Sequence, residues 1–440
     1  MEWADLEKEW AQHHAQDVFV HHDLTSAIRQ SQQEVEQFMK QHADLVRTLT
    51  QAYVTPAEGA PVDPGCGDLF YDLYRKLQTI QAPMVRCSRP AFRKLCRLWG
   101  TTINYSHMIV ASSFTQSDRA RHAEFGLYKG EERLVTQLAA TSGPSAAEAA
   151  VLLSPYGDAI DLNCGCPQRW AMQEGFGAAL LEKPELVSDM IKCIRNAVPS
   201  ITVAGGTSVP FPCVVKMRVK EDIRQSVDFV RQCEAAGASW VTVHGRTPTS
   251  PPSCPVHHAD VALLKENVSI PIVLNGSVES PSSALALAFL SGGVGSVMSG
   301  NGLLENPACL AAFPNGEALR EATSYHFSTS TSGTTLSTVL RSSSESSLDR
   351  LAAPNPSATP PRLLWSVPFT PVEVLSDFVR LAIATDLSYA TTMQQLVHMA
   401  RPYLSAVERN YVMALRSNTA ACGALQGLGL YTDKGRFTSV

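Results

Sequence analysis

A series of short apolar runs in this chain ends in residues that can do chemistry. Ile160-Asp161-Leu162-Asn163-Cys164-Gly165-Cys166-Pro167 begins like a buried strand and stops at a Gly and a Pro that cannot continue a central strand, which leaves a thiol at the stopping point. Free cysteine is among the most buried residue types, so Cys166 alone is more simply read as packing. Other runs end in Ala82-Pro83-Met84, Gln137, Lys216 and Arg218, His244-Gly245-Arg246, Asn275-Gly276-Ser277 and Ser299-Gly300-Asn301-Gly302. Amides, a thiol, long cations, an imidazole and two Gly-containing turns are what a site for a polar, phosphorylated ligand would use.

The elements that must position these residues alternate. Strand-like runs at 79–85, 103–110, 135–140, 159–164, 213–219, 240–244, 270–275 and 296–299 are separated by helix-like segments. Unalternated apolar strands joined through helices suit a parallel sheet buried on both faces, and eight such units are the size of one (β/α)8 TIM barrel; a doubly wound sheet is the alternative. In such a barrel the reactive residues stand at the C-terminal strand ends, and Gly-containing turns after strands seven and eight form a phosphate site. A lysine aimed into an apolar mouth needs an anionic or electron-rich partner, which favours a functional Lys216. Because Lys216 and Arg218 alternate along their strand, one of them is expected at the solvated rim unless the strand ends between them. His244 can be a satisfied core histidine, but its place in a strand-end His-Gly-Arg favours a ligand contact.

Residues 1–70 read as a helical and irregular extension without recognisable chemistry, and 71–318 as the barrel, with an insertion at 200–211 ahead of the fifth strand. Residues 319–362 are dominated by Ser, Thr, Pro and Asn and are expected to be disordered. Helical periodicity returns over 363–440, the C-terminal helical domain.

Of the 440 residues, 45% are hydrophobic and 18% charged, with a net charge of -5, which excludes a generally basic nucleic-acid coat and leaves room only for a local cationic patch. The 11 cysteines lack paired spacing and suit a reducing compartment. The charged N-terminus does not resemble a signal peptide, and no run approaches a membrane span, so a soluble, intracellular protein is expected, cytoplasmic with the nucleus as alternative; the sequence leaves the oligomeric state open, with a monomer favoured. No metal site is expected: Cys164 and Cys166 are too few, and His257-His258 has no supporting ligand cluster.

The words Ala82-Pro83-Met84, Gln137-Leu138, Asn163-Cys164-Gly165-Cys166-Pro167, Val215-Lys216-Met217-Arg218, His244-Gly245-Arg246-Thr247, Asn275-Gly276 and Gly302-Leu303-Leu304-Glu305-Asn306-Pro307, in this order, resemble the tRNA-dihydrouridine synthases. Gln168-Arg169-Trp170-Ala171-Met172 resembles the eukaryotic subgroup acting on D-loop uridines 20a and 20b. The likeness implies an FMN-binding barrel, NADPH as reductant, tRNA as substrate and a C-terminal domain that grips it. Hydride would pass from the flavin to C6 of a flipped-out uridine while Cys166 protonates C5. A cysteine thiol titrates near about 8.5 in model peptides, so it can act as an acid at neutral pH without activation.

By the same resemblance, Pro83, Met84, Gln137, Lys216, His244, Asn275, Gly276, Ser277, Gly300 and Asn301 would hold FMN, and Asn163, Arg218 and Arg246 would face the uridine. Asn301 departs from the family's usual Arg; an amide cannot make the bidentate phosphate contact of a guanidinium, so weak flavin retention is expected. Arg86, Arg89, Arg93, Lys94 and Arg97 cluster without an acidic neighbour in sequence, and 89, 93 and 97 share a helix face; with Arg401, Arg409 and Arg416 they are expected to line the tRNA path. The other readings are a tRNA-binding homologue without turnover and a different FMN barrel oxidoreductase acting on a small pyrimidine.

Overall fold

A computed structural model of the protein describes residues 19–54, 67–311, 369–433 and 435–437. The Ser/Thr/Pro-rich stretch 319–362, and residues 1–18 and 55–66 of the N-terminal extension, lie outside the described residues. Helices α1 (Leu24–Gln41), α2 (Ala43–Val54) and α3 (Gly67–Lys76) come first. The strands are β1 (Gln78–Gln81), β2 (Ile103–Tyr105), β3 (Ile109–Val110), β4 (Leu134–Ala139), β5 (Ala159–Cys164), β6 (Ser200–Thr202), β7 (Ser208–Pro210), β8 (Cys213–Arg218), β9 (Val241–His244), β10 (Ile272–Asn275) and β11 (Ser296–Ser299). The helices between and after them are α4 (Pro90–Leu98), α5 (Ala111–Gln116), α6 (Asp118–Glu124), α7 (Gly143–Leu153), α8 (Arg169–Gln173), α9 (Pro184–Ala197), α10 (Ile223–Ala236), α11 (His258–Glu266), α12 (Pro281–Leu290) and α13 (Asn301–Glu305).

Strands β1, β2, β4, β5, β8, β9, β10 and β11 pair in parallel in that order, and β11 pairs back with β1 to close the barrel. All eight expected strands are present. The second is broken: after Tyr105 the chain leaves the ladder for Ser106, His107 and Met108, then returns to β4 as β3. The 200–211 insertion is an antiparallel hairpin of β6 and β7.

Alternate strand residues turn inward. Ile80, Ala82, Ile103, Tyr105, Val135, Ala159, Val214, Trp240, Val273 and Met298 fill the barrel, together with Leu24 and Ile28 from α1. The N-terminal extension thus supplies the barrel's plug, a role the sequence did not disclose. Its helix lies directly on Gly295, where a Cβ would overlap the backbone of Gln32, and Ser31 donates to the carbonyls of Gly295 and Lys76. The hairpin holds the segment before it: His21 bridges to Val203 and accepts from the Ala204 N–H at 3.0 Å.

The C-terminal helices α14 (Val372–Ala384), α15 (Tyr389–Met399), α16 (Ala406–Ala414) and α17 (Asn418–Gly427) pack on the barrel's first and last units. The fully buried Asp377 carboxylate accepts from Trp99 Nε1 at 3.1 Å and from the Arg436 and Phe437 N–H groups at 2.9 and 3.2 Å. Gln395 Nε2 donates to the Cys87 carbonyl at 3.0 Å, which ties α15 to the loop after β1.

The arginine stripe on α4 is not the free cationic face expected. Arg93 is 1% exposed and forks onto Glu131, Nε to Oε1 at 2.6 Å and Nη2 to Oε2 at 2.7 Å, while Nη1 and Nη2 also donate to the Ser88 and Gly126 carbonyls. Arg97 donates to Glu132 and to the carbonyls of Thr101 and Thr102. A buried guanidinium must be paired, and its carboxylates arrive from a segment more than thirty residues away, beyond the reach of local sequence. Arg93→Ala is therefore expected to leave Glu131 buried and unpaired and to cost about 3–5 kcal/mol of stability. Urea denaturation followed by circular dichroism measures it, and a midpoint unchanged from the parent would disprove the structural role.

Candidate active site

Closure in register brings the strand-end residues level. Gln137 stands opposite Asp161, Asn163 opposite Lys216, Arg218 opposite His244, and His244 opposite Asn275. Lys216 and Arg218 are two residues apart, continue the inward series begun by Val214, and so share a face; the expectation that the strand would part them is corrected by the two-residue period itself.

At the centre is a chain of oriented polar groups. Asn163 Oδ1 accepts from the Cys166 N–H at 2.9 Å and the Gly165 N–H at 3.1 Å, which shapes the turn that presents the thiol. Its Nδ2 donates to Gln137 Oε1 at 2.9 Å, and Gln137 Nε2 donates in turn to Asp161 Oδ2 at 2.7 Å. Asp161 Oδ2 accepts from Gln137, and the amide orientation this sets passes through Asn163 to the Cys166 turn. Asp161 lies in the word that carries Asn163, two residues earlier and on the same face. That spacing was the available signal for a residue the sequence reading left without a role.

Cys166 is half-buried, and its carbonyl accepts from the Ala178 N–H at 2.9 Å. Gly177, at φ +67°, packs so closely that a Cβ would stand 2.6 Å from the Cys166 oxygen. Burial pushes the Asp161 carboxyl up and the Lys216 ammonium down, and each charge restrains the other's shift. Lys216 and Arg218 both lie near Cys166. Arg218 is steadied by the Gly165 and Thr247 carbonyls at 3.1 and 2.9 Å. Lys216 Nζ has no hydrogen-bond acceptor among the described residues.

The opposite side of the mouth is built around Arg246. Its Nη1 lies 3.1 Å from His244 Nε2, Nη2 donates to Ser277 Oγ at 2.9 Å, and Nε donates to the Cys254 carbonyl at 2.5 Å. A guanidinium cannot accept, so His244 Nε2 is the acceptor and Nδ1 carries the proton. Burial, with Lys216, Arg218 and Arg246 nearby, holds the His244 pKa down at about 2, so the ring is neutral at physiological pH. Gly276 (φ +117°) and Ser277 (φ +56°) form a left-handed turn after β10; a Cβ on Gly276 would meet Val256 and His244. Asn275 is 6% exposed and donates to the Met298 carbonyl at 2.9 Å. Gly300 lies against the loop after β1, where a Cβ would stand at van der Waals distance, 3.5 Å from that of Ala82 and 3.8 Å from the Met84 sulfur. Pro83 and Met84 are half-buried there, and Asn301 is exposed at the start of α13.

Residues 80–346 match the family model described as dihydrouridine synthase. A mouse tRNA-dihydrouridine(20a/20b) synthase [NAD(P)+]-like protein is 43% identical over 238 residues, which span 54% of this chain and 70% of that protein. This chain belongs to the dihydrouridine synthase family. The tRNA-dihydrouridine(20a/20b) synthase [NAD(P)+] of Schizosaccharomyces pombe is 37% identical over 234 residues, 53% of this chain and 68% of that one. Among solved structures, the old yellow enzyme of Trypanosoma cruzi superposes with a TM-score of 0.38 at 10% identity, over 55% of this chain and 90% of that chain, a similarity too slight to carry an inference.

The amide chain makes a specific demand on this dihydrouridine synthase. Replacing Asp161 by Asn keeps the shape but supplies an NH2 group as well as an oxygen, so Gln137 and Asn163 can both turn over and set an NH2 against the Cys166 and Gly165 N–H groups. Asp161→Asn is expected to lower the rate of uridine reduction about 100-fold by misplacing the thiol while the protein remains folded. Single-turnover kinetics at saturating substrate measure this, and a rate equal to the parent's would refute the relay.

Proposed function

We propose that this dihydrouridine synthase reduces uridine to 5,6-dihydrouridine in the D-loop of tRNA, at positions 20a and 20b, with FMN as bound cofactor and NADPH as reductant. The observation that carries this reading is Cys166 held by Asn163 at the end of β5, beside Lys216 and Arg218. The relatives named for 20a/20b and NAD(P)+ support the finer assignment of position and reductant.

The mouth fits FMN. Lys216 Nζ lacks an acceptor among the described residues, as do the backbone N–H groups of Gly276 and Ser277, and Gly300 puts no side chain beside Ala82 and Met84. An electron-rich ring edge would satisfy Lys216, and phosphate oxygens would satisfy the left-handed turn. Pro83, Met84, Gln137 and Gly300 would border the ring, Asn275 would shape the floor through its bond to Met298, and His244, Ser277 and Asn301 would face the polar tail. When bound, FMN supplies hydride exchange between nicotinamide and pyrimidine.

The chain's own residues do the rest. Arg218, fixed by two carbonyls, faces the pyrimidine oxygens and favours negative charge there as hydride arrives at C6. Cys166 releases its proton to C5, and Asn163 holds the turn that aims it. Neutral His244 offers Nδ1–H, while Arg246, held by its Ser277 and Cys254 contacts, keeps that tautomer in place. Exposed Arg401 and Arg416 on the helical domain offer phosphate contacts for tRNA; Arg409 is partly engaged with the Leu404 carbonyl.

Cys166→Ala is expected to retain FMN and to reduce it with NADPH at the parent's rate, yet to form no dihydrouridine. Mass spectrometry of the tRNA product reads this, and full activity would overturn the assignment. Because Asn301 lacks a guanidinium, prolonged dialysis should strip FMN from the parent protein and Asn301→Arg should retain it, by flavin absorbance; stoichiometric FMN in the dialysed parent would disprove this.

A further inference from the structure

Next to the mouth lies a second cavity of about 300 Å³, between the loop after β1, the break between β2 and β3, α6 and α8. Its walls include Arg86, Arg89, His107, Met108, Glu124 and Trp170. It adjoins the reactive end of β5: the Met108 sulfur is 3.0 Å from Asn163 Nδ2, and Trp170 follows Cys166 by four residues.

Three features of this cavity ask for a ligand. His107 is 3% exposed, and its Nε2 lies 2.8 Å from Glu124 Oε2. Since the carboxylate accepts and burial keeps the imidazole neutral, Nε2 is the donor, and Nδ1 is a buried acceptor with no partner among the described residues. Trp170 is 44% exposed, its indole steadied by an edge contact with Phe176 at 5.7 Å between ring centroids, so aromatic surface is open to stacking. Arg86 sits exposed at φ +64°, a conformation unusual for any residue with a Cβ, in the loop that Gln395 of the helical domain grips through the Cys87 carbonyl. Arg89 is less free, since it donates to the Ala123 carbonyl at 2.6 Å and lies 3.9 Å from Glu124.

We propose that this cavity binds the nucleotide next to the target uridine: an unpaired base stacked on Trp170, its amino edge toward His107 Nδ1 and the Glu124 carboxylate, its phosphate beside Arg86. The inference rests on the tRNA reading above. An aromatic face, a fixed acceptor and a nearby guanidinium are the means by which proteins grip splayed single-stranded RNA, and the volume is at the low end for a ligand pocket, which suits one base. The grip is base-selective, because a neutral Nδ1 accepts from an exocyclic amine and repels a carbonyl. One mouth then holds two consecutive nucleotides, so the flipped uridine is anchored by its neighbour.

The test uses the FMN-loaded full chain and tRNA carrying the fluorescent base 2-aminopurine immediately 5′ or immediately 3′ of the target uridine. Binding should quench fluorescence at one of the two positions, through stacking on Trp170. Trp170→Ala should abolish that quenching and lower kcat/KM for tRNA about tenfold, and Trp170→Phe should restore both. Arg86→Asn, which tolerates the left-handed backbone, should raise KM, and Glu124→Gln should weaken discrimination between amino-bearing and carbonyl-bearing neighbours. NADPH oxidation by each protein without tRNA serves as the folding control. If the parent reduces tRNA uridine while Trp170→Ala matches it in quenching and kcat/KM, the cavity assignment fails and the functional reading stands. If the parent neither binds nor reduces tRNA, both fail.

Discussion

A carboxylate enclosed in the wall of a parallel barrel must be answered by its neighbours, and the answer here runs from Asp161 through two amides to the turn that presents Cys166. Each link in that line orients the next. The acid accepts, so Gln137 donates; Gln137 then accepts, so Asn163 donates; Asn163 is left with an oxygen for two backbone N–H groups. The line exists because closure in parallel register brings inward residues of β4 and β5 level, and it ends at the thiol presented by the turn after β5.

Much of this was legible beforehand because it depends on local rules. Unalternated apolar runs alternating with helical segments specified the eight barrel strands, and the strand ends named most of the residues that the mouth brings together. What escaped depends on contacts distant in sequence. Arg93 looked like one of a row of cations, and only the arrival of Glu131 makes it a buried pair. The break after Tyr105 has no Gly or Pro to announce it, yet it puts His107 and Met108 beside the site.

The same contrast separates the two ends of the chain. The helical domain announces itself by periodicity, but its attachment includes a buried carboxylate, Asp377, which gathers Trp99 of the barrel and the N–H groups of Arg436 and Phe437. By holding the loop after β1 through Gln395, that domain also sets one edge of the mouth, so barrel and domain share the construction of the site.

The plug formed by α1 has a kinetic side. Leu24 and Ile28 enter the barrel near the beginning of the chain, but Gly295, on which their helix lies, and β11, which closes the ring against β1, come more than 250 residues later. Until the ribosome has released that last strand, the helix can seat only against α2, α3 and β1, and the cylinder remains an open sheet with a bare edge. Such non-local closure makes folding slow and leaves apolar surface uncovered meanwhile. A nascent chain of this protein therefore depends on its own final barrel strand to complete the seat of α1.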